Sequence, residues 1–176
     1  MKARRAYDIN FTSLSMGSQQ LDYSISTDFL QNYPEAYISD IKAFAVLSLN
    51  KMHQCLETSI NIQGTVVCSC DICTEDVQIE FKTEEFVIFK FVDMQMTSIE
   101  DELNVIFVDK RDNIINISDT LYETIMLSLP IRKLHDMNAD GTYTCNPEYL
   151  KYLNQEENVE ENKNNPFRDL KKKLKN

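Results

Sequence analysis

The strongest constraint on this chain is an alternation of apolar and polar residues that dominates residues 43–91. Residues 56–67 alternate through Ile60, Ile62 and Val66. Val77-Gln78-Ile79-Glu80-Phe81 repeats the pattern, and residues 85–91 follow it, with Phe86, Ile88 and Lys90 on one side and Val87, Phe89 and Phe91 on the other. A period of two sends successive side chains to opposite faces of a pleated strand. Residues 7–11 and 21–25 share the pattern, residues 43–52 form an apolar run of strand type, and residues 103–108 add a short strand. The gaps between these runs are too short for helical crossovers, which predicts antiparallel hairpins. Gly64, inside one run, marks a bulge or a close backbone approach.

Helical signals come later in the chain. Ser118 is placed to cap a helix with Asp119 in its first turn and an apolar stripe of Leu121, Tyr122, Ile125, Met126 and Leu129, ended by Pro130. Asn146-Pro147-Glu148 reads as a cap followed by proline at the first helical position, leading into Tyr149, Leu150 and Leu153. Asn165-Pro166 opens a third helix carrying Phe167, Leu170 and Leu174. A short helix is also expected near Asp28-Phe29-Leu30. The expected class is therefore α+β: an antiparallel β-sheet, free to curl toward a barrel, with a few short helices and a C-terminal helical tail. Residues 1–153 form the domain. Residues 154–164, polar, acidic and poor in apolar side chains, read as a disordered linker. Residues 165–176 form a basic amphipathic tail.

Charge is divided unevenly along this plan. Residues 163–176 carry a net +5 and residues 1–8 a net +2, so with a formal total of −10 the intervening 9–162 carry −17. Such a body is a poor general polyanion binder, because phosphate affinity depends on clustered Lys and Arg. The tail cations Arg168, Lys171, Lys172, Lys173 and Lys175 are the candidate contacts to RNA or to an acidic partner, and the apolar stripe beside them would order on contact.

Few enzyme classes survive inspection. The three glycines, Gly17, Gly64 and Gly141, cannot build a GxGxxG or GxxxxGK[ST] phosphate loop, and there is no GxSxG elbow and no HExxH. His53 sits between two strand runs and reads as a hairpin residue. Asp93, Glu100, Asp101 and Glu102 read as a solvated acidic surface. No apolar run approaches the ~18 residues of a membrane span. The basic start lacks an apolar stretch of signal-peptide type, so cytoplasmic residence is expected.

The most specific local feature is Cys68-Ser69-Cys70-Asp71-Ile72-Cys73. Two thiolates three positions apart on a turn are half of a structural zinc site. His135 and Cys145, flanking a later loop, are candidates for the other half, and Cys68 is a substitute ligand on the same strand face as Cys70. Reduced structural thiols without metal are the competing reading, and a redox dithiol is a third. Asp71 beside Cys70 and the lack of a basic neighbour weigh against an activated thiolate. Cys55 reads as a small core residue.

The order of these features resembles the YceD family, the large ribosomal RNA subunit accumulation proteins. A strand ending near Gly64 followed by Cys70-Asp71-Ile72-Cys73 is similar to the family's "G…CdRC" core. The stretch from Asn113 to Pro130 is similar to its "id…l.E.i.LslP" helix, and Asn165-Pro166-Phe167-Arg168-Asp169-Leu170 to its "(D/N)P…L..L" ending. The resemblance covers residues 5–175. Ile72 stands where the family usually has Arg, and His135 and Cys145 stand where many members carry a second cysteine pair. The resemblance implies a non-enzymatic role in accumulation or processing of 23S ribosomal RNA during large-subunit assembly. The implied partners are precursor 23S rRNA or large-subunit assembly proteins. An acidic protein–protein adaptor without RNA contact, or a thiol redox protein using Cys70 and Cys73, are the alternatives.

Overall fold

The structure, a computed structural model, describes residues 2–93, 103–139 and 141–155. Its elements run in the order α1 (Lys2–Arg5), β1 (Asp8–Asn10), β2 (Gly17–Ile25), a 3-10 helix (Thr27–Asn32), β3 (Ile38–Lys51), β4 (Cys55–Ser69), β5 (Asp76–Val92), β6 (Val105–Asp109), β7 (Ile114–Asn116), α2 (Ser118–Ser128) and α3 (Pro147–Gln155). Strands β2 to β6 form one sheet in sequence order, and β1 pairs with β7 in a second, two-stranded sheet. The class is as expected, α+β around a mainly antiparallel sheet with a few short helices. The sheet is open rather than closed: β2 and β6 are its two edges and do not pair with one another.

Two expectations about the strands are corrected. Residues 77–81 and 85–91 are not two strands of a hairpin but parts of the single 17-residue β5. Its pairing with β4 runs from Asp76 opposite Ser69 to Lys90 opposite Cys55 without interruption. The physical reason is visible in the sequence. Lys82-Thr83-Glu84 contains none of the usual turn residues, and Val77, Ile79, Phe81, Val87, Phe89 and Phe91 all keep the same phase of alternation. The second correction is that β6 runs parallel to β5, with Ile88 opposite Val105 and Val92 opposite Asp109. β6 lies beside the last five residues of β5, Ile88 to Val92, with the same chain direction.

One face of the large sheet is dry. Leu47 and Leu49 on β3, Leu56, Ile60, Ile62 and Val66 on β4, and Phe89 on β5 are all at most 1% exposed. Leu121 and Ile125 of α2 close over this face, joined by Ile9 and Ile115 from the small sheet. Tyr33, just after the 3-10 helix, stacks on Tyr122 of α2 at 3.9 Å between ring centroids. Phe11 stacks on Phe91 at 4.6 Å. The other face of the sheet carries exposed polar residues together with Phe44 and Phe86.

Gly64 is the close-approach point. It lies opposite Ala43 on β3 and Phe81 on β5. A Cβ there would stand 2.3 Å from the Lys42 carbonyl oxygen and 2.5 Å from the Ala43 Cα. Both obstacles are backbone, so a side chain forces the strands apart. Gly64→Ala is expected to cost roughly 1–3 kcal/mol and to lower the melting temperature by roughly 3–10 °C in a circular-dichroism melt. An unchanged melting temperature would mean that β3 and β4 do not approach this closely.

The helix ends sharpen the sequence reading. Ser118 does not cap α2. Ile117 holds the cap position with no side-chain cap bond, the Asn116 Oδ1 just before it accepts the backbone N–H of Ser118 at 3.1 Å, and Ser118 itself is buried and receives the Arg4 Nε–H at 3.3 Å. Asn146 caps α3 as expected, its Oδ1 accepting the backbone N–H of Glu148 at 3.0 Å. α3 continues to Gln155, so the first two residues of the expected 154–164 linker are helical. The rest of that linker and the tail 165–176, with Arg168, Lys171, Lys172, Lys173 and Lys175, lie outside the described residues, as do Glu100, Asp101 and Glu102. Cys55 is half-buried rather than a core residue, because β4 begins with it at the rim of the sheet. His53 is exposed in the turn between β3 and β4.

Candidate metal centre

The CxxC pair occupies the connection between β4, ending at Ser69, and β5, beginning at Asp76. That connection folds as a tight knuckle. The Cys70 N–H donates to the Glu75 carbonyl at 2.8 Å, and the Thr74 N–H donates to the Cys70 carbonyl at 2.9 Å. Thr74 adopts φ of 60°, the left-handed conformation needed to reverse the chain. The long β4–β5 ladder thus delivers two thiols to the tip of a rigid hairpin.

A second segment lies against this tip. The Asp71 N–H donates to the Lys133 carbonyl at 2.8 Å, and the Lys133 N–H donates to the Asp71 carboxylate at 2.7 Å. This two-way clamp sets His135 beside the knuckle. Beyond it, a bridge between Met137 and Tyr143 turns the chain back and places Cys145 on the other side. The Asn146 amide then donates to the Glu75 carboxylate at 2.8 Å, tying the start of α3 to the knuckle.

The result brings Cys70, Cys73, His135 and Cys145 together, with every pair of donor atoms within 4.8 Å. Cys70 Sγ lies 3.7 Å from Cys145 Sγ, Cys73 Sγ 3.4 Å from His135 Nδ1, and Cys145 Sγ 3.6 Å from the same nitrogen. Zinc–sulfur bonds of about 2.3 Å and zinc–nitrogen bonds of about 2.0–2.1 Å at tetrahedral angles imply S–S edges of about 3.8 Å and S–N edges of about 3.6 Å. These contacts match those edges, and a set of three sulfurs and one imidazole is chemistry that zinc favours. The imidazole is also oriented for the task. Its Nε2 lies 3.2 Å from the Asp76 carbonyl, so with the proton on Nε2 the Nδ1 lone pair faces the sulfurs.

Burial and polarity at the cluster agree with ligation. Cys70 is 1%, Cys73 0% and Cys145 5% exposed, within a small apolar shell that includes Ile72, Leu134, Tyr143 and Leu150. Burial pushes the Cys70 thiol up, but the backbone N–H groups of Cys73, Ile72 and His135, with the Cys73 side chain, outweigh it and bring the group down to about 6. Cys145 is pushed up to about 12 by burial and by its hydrogen bonds with the Cys70 and Cys73 sulfurs. The sequence expectation that Asp71 disfavours a thiolate at Cys70 is therefore corrected: the Asp71 carboxylate turns to the Lys133 backbone, and amide donors surround the sulfur instead. Cys68 is buried on the adjoining strand, with its Sγ 4.0 Å from the Val77 carbonyl, and stands outside the four-donor group. The Asp71–Lys133 clamp and the Asp76 carbonyl contact were not anticipated. Backbone partners leave no trace in residue type.

Fold and cluster together define a mainly antiparallel sheet protein whose hairpin tip carries a Cys₃His group suited to a metal ion. The chain belongs to the family of the large ribosomal RNA subunit accumulation protein YceD, whose family model matches residues 58–175. The match begins within β4 and takes in the whole cluster. No curated protein and no solved structure matches the chain. The family description assigns accumulation of large-subunit ribosomal RNA. Among the described residues, no helix is long and apolar enough to cross a membrane.

Proposed function

We propose that this chain is a non-enzymatic ribosome-biogenesis factor that supports accumulation and processing of 23S rRNA during large-subunit assembly, in the cytoplasm. The observation that carries this reading is the family match over residues 58–175. The geometry supports a division of labour. Cys70, Cys73, His135 and Cys145 would hold one Zn²⁺, whose role is structural: all four protein donors are used, leaving no open coordination position for substrate. The ion would fasten residues 133–150 to the β4–β5 tip. The thiol redox alternative is disfavoured by burial, because Cys70 is 1% and Cys73 0% exposed, which keeps both out of reach of a substrate disulfide.

Contact with the target is bipartite in this reading. The folded body makes one contact. Arg168, Lys171, Lys172, Lys173 and Lys175 make a second through the segment that follows α3, whose length sets the effective concentration of the tail at the target. Partners are precursor 23S rRNA or proteins of the assembling subunit. Deleting 163–176 is expected to weaken association with precursor 23S rRNA and to flatten its salt dependence, since each lost phosphate contact on a single strand removes about 0.7 from the slope of log K against log salt. The measurement is a salt titration of binding for the full and shortened chains. Equal affinity with an equal slope would remove the tail from the mechanism.

The −17 carried by residues 9–162 favours a second reading, an adaptor whose acidic body docks on a basic ribosomal protein. In cells it predicts crosslinks to protein and none from RNA to this chain.

A further inference from the structure

We infer that in the free protein the basic tail docks in cis on the outward face of the large sheet, over Phe44 and Val46 and against Asp22, Glu57 and Glu84, and that a target must displace it from there. The inference deepens the bipartite reading above: it takes the tail as the second contact and names what holds that contact back.

The face is set apart by exposed rings and unmatched acid. Phe44 on β3 and Phe86 on β5 are 45% and 46% exposed on a surface otherwise mostly polar. Register places between them the row Asp22, Val46, Asn61 and Glu84, which crosses β2 to β5. Glu57 follows four residues along β4 from Asn61. Among the described residues these carboxylates meet no cation. Asp22 accepts from the Gln20 amide, Glu57 from the Asn50 amide, and Glu84 from Ser59 and Asn61. The lysines of this face stand outside the rows from Asn61 to Glu57. Lys42 and Lys82 lie on one side, beside Asp40 and Glu80, and Lys90 lies on the other, opposite Cys55. Such a strip repels a polyanion and attracts a cationic segment with apolar side chains of its own.

The tail carries the matching pattern. Phe167, Leu170 and Leu174 recur at spacings of three and four, which line one side of a helical turn, and Arg168, Lys171, Lys172, Lys173 and Lys175 lie around them. From Phe167 to Leu174 a helix rises about 10 Å, close to the roughly 13 Å between the Phe44 and Phe86 rows. Reach is sufficient. The start of α3 is tied to the metal-site knuckle through Asn146 and Glu75, beyond the end of β4 at Ser69. Residues 156–166 separate α3 from Phe167 and span at most about 36–40 Å when extended. The Asn61 row lies about 27 Å along β4 from Ser69. Another exposed apolar pair, Leu127 and Ile131, is followed by Arg132 and Lys133, which repel the tail.

The tether also decides between this chain and a second copy. A short linker holds the tail at a high effective concentration over its own sheet, whereas two bodies of −17 repel one another. Ion pairs between exposed groups are individually weak, so the docked tail yields to a stronger polyanion. Apparent affinity for that target is lowered by the fraction of chains whose tail is docked.

The test is carbodiimide crosslinking of the full chain at low concentration, which condenses a lysine amine with a touching carboxylate to an amide, the carbodiimide taking up the water. Mass spectrometry of the monomer band is expected to join Lys171, Lys172, Lys173 or Lys175 to Asp22, Glu57 or Glu84, with yields that fade as salt is raised. The second arm combines Asp22→Asn, Glu57→Gln and Glu84→Gln. Each keeps an acceptor oxygen for its neighbour, and thermal melts confirm folding. The triple variant is expected to bind a short single-stranded RNA roughly fivefold tighter than the parent. In a chain lacking 163–176 the same substitutions should change binding less than about twofold. Tail crosslinks that fall elsewhere on the body, or only between two copies, would overturn the docking while the ribosomal-RNA reading stands. So would an equal gain in affinity with and without the tail. If the tail crosslinks to this face but the full chain binds no RNA, and in cells crosslinks to basic proteins alone, the docking stands and the ribosomal-RNA reading fails.

Discussion

Cys73→Ser protein, purified without chelator, is expected to contain less than about a tenth of an equivalent of zinc, where the parent chain contains about one equivalent. Cys73 is fully buried, and its sulfur lies 3.4 Å from His135 Nδ1. Serine supplies no soft donor there, and three remaining ligands leave the tetrahedron open. The structural consequence follows from how the site is built. The main core lies between the large sheet, α2 and the small sheet, and does not include the Cys70–Cys145 cluster. Loss of the ion should therefore free residues 133–150 without unfolding the sheet. A metal held a thousandfold above its dissociation constant contributes about 4 kcal/mol, so the melting temperature should fall by roughly 8–16 °C. Hydrogen exchange should accelerate in residues 133–150 and not in β3 or β4. Zinc retained by the variant, or exchange raised uniformly over the chain, would contradict a dedicated structural centre.

Phe89→Ala is expected to cost about 3–5 kcal/mol, a large fraction of the 5–15 kcal/mol by which an ordinary domain is stable. Phe89 is 1% exposed on the dry face of β5, opposite Leu56 on β4 and Ile106 on β6. Truncation removes the ring's transfer energy and leaves a cavity that a rigid sheet cannot close. Phe86, three residues earlier, points to the other face and is 46% exposed. Phe86→Ala should change stability by less than about 0.5 kcal/mol. Urea unfolding of both variants reads the difference. Equal destabilisation would mean that both sheet faces are covered.

Much of this architecture was legible because strands declare themselves through period two. The burial pattern of β4 follows the alternation of Leu56, Ile60, Ile62 and Val66. What the period does not carry is chain direction or length. Residues 77–81 and 85–91 share one phase, so one long strand and a hairpin are separated only by the absence of turn residues at 82–84. The parallel placement of β6 depends on packing at the sheet edge. β7 was missed because three residues, Ile114–Asn116, are too few to show a period, and they form a strand only by pairing with β1 more than a hundred positions away. At the candidate site, donor identity was readable from the CxxC spacing and the later His135 and Cys145. The clamp that unites them pairs the Lys133 backbone with the Asp71 N–H and carboxylate and is visible only once the chain is folded.

The proposed metal centre and the proposed role of the tail belong to one physical picture. In the proposed account the acidic body is a poor binder of nucleic acid by itself, and the basic extension would supply the attraction. No step in it makes or breaks a bond.

The most direct measurement is ultraviolet crosslinking of the full chain in living cells, followed by sequencing of the attached RNA and identification of the attached proteins. The prediction is enrichment of precursor large-subunit rRNA, together with proteins of the assembling large subunit. A crosslink map with neither, or reproducible catalytic turnover by the purified chain, would contradict it.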